Sequence, residues 1–366
     1  MLKRTHLSKN QIKGFAGCVL LAAGFALLGI SRICKEFANW YSLHIYPVWV
    51  ESIGRLAGLF PFSVAEILLY LLIGTGLLTG VIHIVRIVRK KEHKGGLYSW
   101  LLNLFFLAGL LLFLYAANCG MNYYRTSFSE ISGIRAEEYS TEDLKEVCLW
   151  LTQEVNGVSS KVKRDGRGVM VLEEDVREDA VKAMQKLGET YGDLSGYYPN
   201  PKGLLFPEIL SIQNLTGVYS PFTIEANYNP EITDYNIPFT MCHELSHLRG
   251  FMQEEEANFI AFLACRESGE AQLQYSGNLM GWIYCMNVLH KTDYEAWKEV
   301  RARLSPDVEP DLQANREFWA QYDGTVAEVA NKVNDTYLKA NGQANGVKSY
   351  NQMVDFIVAN HKKDWE

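Results

Sequence analysis

The sequence predicts an α+β fold in two parts, three amino-terminal transmembrane helices followed by a zincin-like, helix-rich soluble domain. Three observations predict it. Most of the excess in the 48% hydrophobic content of the 366 residues lies before residue 120. No uncharged run approaching the roughly 20 residues of a membrane span follows it. A His-Glu-Xaa-Xaa-His stretch then sits among charged residues in the second part, at His243, Glu244 and His247. The division is 1–120 for the membrane part and 121–366 for the soluble part.

Taken in order, Ile12 to Ile33 carries charge only near its ends, at Lys13 and Arg32, and is otherwise rich in Leu, Ala, Ile and Gly. It is long enough for a hydrocarbon core of about 30 Å and reads as the first span. A cleaved signal peptide competes, since Lys3, Arg4, Lys9 and Lys13 make a basic start, but further spans follow and no small-residue cleavage site stands out. Trp40, Tyr41, Tyr46, Trp49, Phe60 and Phe62, broken by Pro47 and Pro61, suit a segment at the membrane-water boundary. Ala65 to Val88 reads as the second span and Leu97 to Cys119 as the third. Arg89, Lys90, Lys91 and Lys94 lie between them. The excess of Lys and Arg at the amino terminus and in this loop puts both on the cytoplasmic side, and three spans then carry everything after about residue 120 to the extracytoplasmic side.

In the second part, Thr141 to Asn156 and Glu173 to Tyr191 read as helices, and the apolar run Gly168 to Leu172 between them as a strand. Pro199, Pro201, Gly203 and Pro207 mark a loop, and Val218 to Asn227 mixes β-branched and aromatic residues as an edge strand does. Such a strand above a metal would pair with a substrate backbone; an ordinary edge strand is the plain alternative. Asn236 and Pro238 suit the cap and first turn of the motif helix. Ala257 to Cys265 and Asn278 to Leu289 are too short to span and read as buried helices, with Trp282, Trp297 and Trp319 in the core.

The motif carries the chemistry. On a helix His243 and His247 are four residues apart and share a face, so both imidazoles can reach one Zn²⁺ while Glu244 lies beside a bound water as general base. With 8 His in the chain, an accidental match is expected in on the order of one chain in a hundred. Gly250 can end the helix in the left-handed conformation and start a second one near Gln253, bringing Glu254, Glu255 and Glu256 toward the histidines. Glu254 is favoured as the third ligand because it shares a face with Asn258, whose amide could hydrogen-bond a ligand histidine; Glu256 is the alternative. First-turn acids also favour a helix dipole, which is all these glutamates need be doing. Tyr350, late in the chain, is a candidate donor to an oxyanion at the metal, with simple packing as the alternative.

Pro238-Phe239-Thr240, the stretch HELSHLRGF, EEEANFIAFLAC, Gly217 to Thr223, and the later run from Tyr337 to Gln343 through Ser349-Tyr350 together resemble the DUF3810 family of bacterial membrane proteins. The resemblance implies a gluzincin-like, membrane-anchored zinc metallopeptidase. Asn258 departs from the acidic residue many gluzincins carry there, and an amide cannot stabilise a charged imidazole as a carboxylate does.

A charge of −7 argues against a nucleic-acid partner, and the expected partners are a peptide or protein substrate and the lipid bilayer. Seven scattered cysteines without a CxxC pair suggest neither a disulfide framework nor a thiolate zinc site, and Cys242 reads as a buried structural residue. The expected activity is hydrolysis of peptide bonds by a metal-activated water. Two alternatives stand beside it: a non-catalytic membrane receptor or scaffold with a structural zinc, and a zinc amidase acting on cell-wall components. Glu244 speaks against the first, because a structural site needs no base.

Overall fold

The computed structural model describes residues 8–91, 95–173, 176–343 and 352–363. The chain is mostly helical. Among the described residues three helices are long and apolar enough to cross a membrane, Lys9–Ile33, Val64–Val88 and Gly96–Asn118. The first and third pack along each other through small residues. Gly109 lies so close to the first helix that a Cβ there would stand 2.8 Å from the Gly17 carbonyl, an approach only glycine permits. The second is joined to the third by the Trp100 indole N–H, which donates to Thr79 Oγ1 at 3.0 Å.

The aromatic segment after the first helix, expected at the membrane-water boundary, is helical. It folds as short helices, Lys35–His44, Tyr46–Trp49 and Arg55–Gly58, with a π-helical turn before the last. Trp40, Phe60 and Phe62 are exposed, but Tyr46 is completely buried, and its hydroxyl donates to the Leu248 carbonyl at 2.8 Å. The segment is thus a structural joint to the second part, because a buried phenol needs a partner and finds it at the end of the motif helix.

The strand content is small. A three-stranded sheet has the order β1-β3-β2, with β1 at Lys202–Gly203, β2 at Gly217–Ser220 and β3 at Glu225–Tyr228. Two strand expectations need correction. Val218 to Asn227 is not one edge strand but a hairpin: the chain reverses at Pro221–Ile224, where Ile224 takes φ +54° and its N–H returns to the Ser220 carbonyl. Of the hairpin's two strands only β2 lies at an edge, since β3 is central and pairs parallel with β1 and antiparallel with β2. Gly168 to Leu172 forms no strand. Three of its N–H groups are taken by side chains, Val169 by Asp165, Met170 by Asp311 and Leu172 by Asp234, while those of Gly168 and Val171 bond the Asp165 and Lys163 carbonyls, leaving a turn with one bridge between Arg164 and Met170.

The other helices fall close to the expected positions, at Thr141–Ser159, Val176–Thr190, Asn236–Leu248, Glu254–Glu267 and Ala271–Thr292. The motif helix Asn236–Leu248 lies at the centre, and every residue of it except His243 is buried. Its sequence is apolar on most faces, which is what a helix covered on all sides requires. Tyr235 is its cap residue, and Asn236, expected at the cap, is the first helical residue and donates to Thr233 Oγ1 and Asn315 Oδ1. Trp282 is buried, while Trp297 and Trp319 are half-buried against the core.

Candidate metal centre

The motif helix ends in a complete glycine turn. Gly250 has φ +88°, its N–H bonds the His247 carbonyl at 2.9 Å, and the Phe251 N–H bonds the Ser246 carbonyl at 3.2 Å. These are the paired bonds of a Schellman motif. Four residues later Glu254 opens the next helix, folded back beside His243 and His247.

His243 Nε2 lies 3.2 Å from Glu254 Oε2, and His247 Nε2 lies 3.7 Å from Glu254 Oε1. The three ligand atoms fall within 4.8 Å of one another. A tetrahedral ion with bonds of about 2.0–2.2 Å holds its ligand atoms roughly 3.3–3.5 Å apart, so the cluster fits Zn²⁺ with little adjustment. The hydrogen bonding behind His247 fits as well. His247 Nδ1 donates to the Phe251 carbonyl at 2.8 Å, which leaves the Nε2 lone pair for the metal. That carbonyl, not Asn258, orients the ring. Asn258 lines the cleft instead, and its Nδ2 is buried without a hydrogen-bond partner among the described residues.

The alternative ligand turns elsewhere. Glu256 Oε1 accepts the Ser129 N–H at 3.2 Å on the opposite side of its helix, and burial pushes its carboxyl up from the usual range. Glu255 Oε2 accepts the Gln343 side-chain amide at 2.7 Å. Two residues of separation put Glu254 and Glu256 about 200° apart on the helix, and the structure gives the inward direction to Glu254.

Electrostatics within the cluster are mutual. Burial acts to raise the Glu254 carboxyl, but the imidazoles of His247 and His243 outweigh it and hold the group well below the usual carboxylate range. Burial likewise acts to lower His247, and the Glu254 charge and hydrogen bond overcome it, raising the imidazole to about 9. Glu244 lies next to the pair in the same cleft, where burial pushes its carboxyl up to about 7 against the opposing pull of the histidines. Its Oε2 is buried and unpaired among the described residues.

The cleft holds about 500 Å³. Strand β2 forms one wall and approaches Glu244 so closely that a Cβ on Gly217 would stand 2.5 Å from Glu244 Oε1. The far wall carries residues that sequence reasoning passed over: Tyr123 just after the third apolar helix, Tyr284 on Ala271–Thr292, and Tyr337 on the helix Thr325–Ala340. Burial and the Glu254 charge push the Tyr284 hydroxyl up to about 12, which keeps it a proton donor to the cleft. No spacing rule marks these tyrosines, because they come from three separate elements. Tyr350, the donor expected from sequence, lies outside the described residues. Cys242 is fully buried behind the motif helix, its sulfur 3.7 Å from that of Cys265.

No curated protein and no solved structure matches this chain. A family model described as "Protein of unknown function (DUF3810)" matches residues 41–358, from the aromatic joint through both later apolar helices and the whole metal cluster. The chain therefore belongs to the DUF3810 family.

Proposed function

We propose that the protein is a membrane-anchored, zinc-dependent metallopeptidase with a zincin-like domain. The observation that carries this reading is the convergence of His243, His247 and Glu254 beside an ionisable, unpaired Glu244 in an open cleft. Zn²⁺ held by the two Nε2 atoms and the Glu254 carboxylate would supply Lewis acidity at a position open to the cleft. Glu244 takes the proton of the attacking water on its carboxylate and returns it to the leaving amine, a task suited to a group whose burial lifts it toward neutrality. Edge strand β2 binds an extended peptide through main-chain hydrogen bonds, which gives affinity without a strict sequence.

The cleft domain is placed on the extracytoplasmic side. Arg89, Lys90 and Lys91 lie at the end of the apolar helices away from it, and Lys/Arg-rich loops stay in the cytoplasm. A reporter fused after residue 125 labels from outside and one at Lys91 from inside; reversed labelling contradicts the orientation.

The test of the chemistry is Glu244→Gln on the zinc-loaded protein with a mixed peptide library. The amide keeps the side chain's shape and loses its basicity, so zinc content stays at wild-type level and turnover disappears. Retained turnover would remove Glu244 from its role. A wild-type protein that binds zinc and cuts no peptide would favour the scaffold or the cell-wall amidase, which a cell-wall substrate screen separates.

A further inference from the structure

A short strand ties the cleft to the end of the third apolar helix. Gly217 at the start of β2 touches Glu244, and Pro221 just past its end presents its carbonyl to the Asn118 side-chain amide at 2.8 Å. Asn118 is the last residue of the third apolar helix. Four extended residues rise about 13 Å, and the contacts at the two ends of the strand add a few ångström each, so the general base stands within roughly 20 Å of the helix end. Cys119 and Tyr123, immediately past that end, are themselves part of the cleft wall.

Where the soluble part meets the apolar helices it exposes apolar side chains. Phe206 is 60% exposed and sets its ring 5.7 Å from that of Tyr70, two turns inside the second apolar helix. Its backbone N–H and that of Leu205 bond Glu66 in the same helix's first turn. Phe222, at the turn of the hairpin, is also exposed. The helix Thr325–Ala340 lines the cleft with Asn331 and Asn334 and exposes Val326, Val329 and Val333 on another face. Its carboxyl end is fastened to the outer ends of the apolar helices: Arg32 donates to the Ala340 carbonyl at 2.6 Å, and the Tyr115 hydroxyl to Asn341 Oδ1 at 2.6 Å. An exposed apolar face continuous with membrane-crossing helices is covered by the bilayer they cross.

We propose that the cleft opens at the membrane surface and takes the juxtamembrane segment of a membrane-anchored polypeptide, cutting it within about six residues of the bilayer, the extended length that spans the roughly 20 Å from the helix end to the base. This rests on the peptidase reading and narrows it to a substrate class. An anchored chain is delivered to such a cleft at high effective concentration, whereas a free peptide gains nothing from its position.

Two measurements on the full chain in lipid vesicles test it. In the first, a fluorescent amino acid replaces Phe206, Val329 or Lys298, the last on a helix that packs away from the apolar helices, and spin-labelled lipids are the quencher. Strong quenching at 206 and 329 with little at 298 is expected, and equal quenching at all three overturns the membrane-facing surface. In the second, the zinc-loaded protein is given a mixed-sequence peptide library carrying a lipid at either end, and the same library without lipid. The lipid-linked peptides should be cut at least about tenfold faster, with cuts clustered near the anchor. Equal rates, or cuts that ignore the anchor, overturn the substrate class while leaving the peptidase reading intact. If neither library is cut, both fall, and the quenching result then decides the position of the cleft independently of its chemistry.

Discussion

The two ends of the β2–β3 hairpin each meet a buried cluster of charge, and the clusters are built to opposite specifications. At the β3 end, Glu225 accepts the N–H groups of Val64 and Ala65 and pairs with Lys202, which also donates to the Ala57 carbonyl at 2.7 Å. Every charge there is answered from within the protein. At the β2 end, Gly217 borders a cluster in which His243 Nδ1, Glu244 Oε2 and Asn258 Nδ2 have no partner among the described residues, while three ligand atoms converge on one point. Buried polar groups left unpaired are costly, so their concentration beside the histidines marks a place kept for something else to bind. One cluster is a joint and the other a site.

The sharpest way to break this comparison is at the joint. Glu225→Ala strands a buried ammonium and two helix-start N–H groups, and should cost about 3–5 kcal/mol of stability, read by thermal unfolding in detergent. Lys202→Met combined with Glu225→Gln removes both charges and should cost less than the single change, because no uncompensated charge is left behind. A Glu225→Ala variant of unchanged stability would show that the cluster does not hold the helices to the hairpin.

At the site the expectation inverts, with metal affinity rather than stability responding. Glu254→Ala should lower zinc affinity at least about a hundredfold, since it removes one of three protein ligands. Glu256→Ala should keep zinc and lose about 1–3 kcal/mol of stability, because the Ser129 N–H loses its acceptor. Titration of both variants decides between them, and the opposite outcome would exchange their roles.

A smaller effect follows from His247. Its imidazole, raised to about 9 by Glu254 against the lowering effect of burial, is protonated below that pH when no metal is bound. Zinc must displace that proton, so apparent affinity should rise by up to about tenfold per pH unit as pH increases toward 9 and level off above it. A flat profile between about pH 6.5 and 8.5 would show that Glu254 does not hold a proton on His247.

What the sequence disclosed follows the same division. The apolar helices were legible because run length alone decides whether a segment can cross hydrocarbon, and the observed ends agree with the expected ones to within a few residues. The convergence of His243, His247 and Glu254 was legible because the spacing of the two histidines and the turn at Gly250 are local geometry. The joint was not. Tyr46, Lys202 and Glu225 are far apart in the chain and carry no periodic signal, so the aromatic segment read only as a boundary segment and the burial of Tyr46 against the motif helix did not show. The hairpin read as one strand because β-branched and aromatic residues continue through the stretch from Val218 to Asn227, and the turn within it uses Ile224 at φ +54°, where a glycine or asparagine would have announced it. The cleft tyrosines escaped for the reason the joint did, each coming from a different element.

The smallest change that should separate joint from site is Gly217→Ala. The added methyl would stand 2.5 Å from Glu244 Oε1, 2.8 Å from Thr240 Cγ2 and 2.9 Å from the Asn227 carbonyl oxygen. Two of these neighbours are fixed, Thr240 in the buried motif helix and Asn227 in the central strand, so the yielding partner is the Glu244 carboxylate. It has no hydrogen bond on Oε2 to resist the displacement. A base moved by several tenths of an ångström loses alignment with the attacking water, and turnover should fall by about tenfold or somewhat more, since misplacement of about 1 Å costs roughly a hundredfold. Overpacking should also cost about 1–3 kcal/mol of stability. Zinc affinity should stay near wild type, because neither histidine nor Glu254 is among the atoms the methyl meets. Parallel measurement of zinc binding, unfolding temperature and turnover reads all three. Loss of zinc together with turnover would mean that the hairpin supports the ligands themselves, and that its two ends are less independent than their contrasting chemistry indicates.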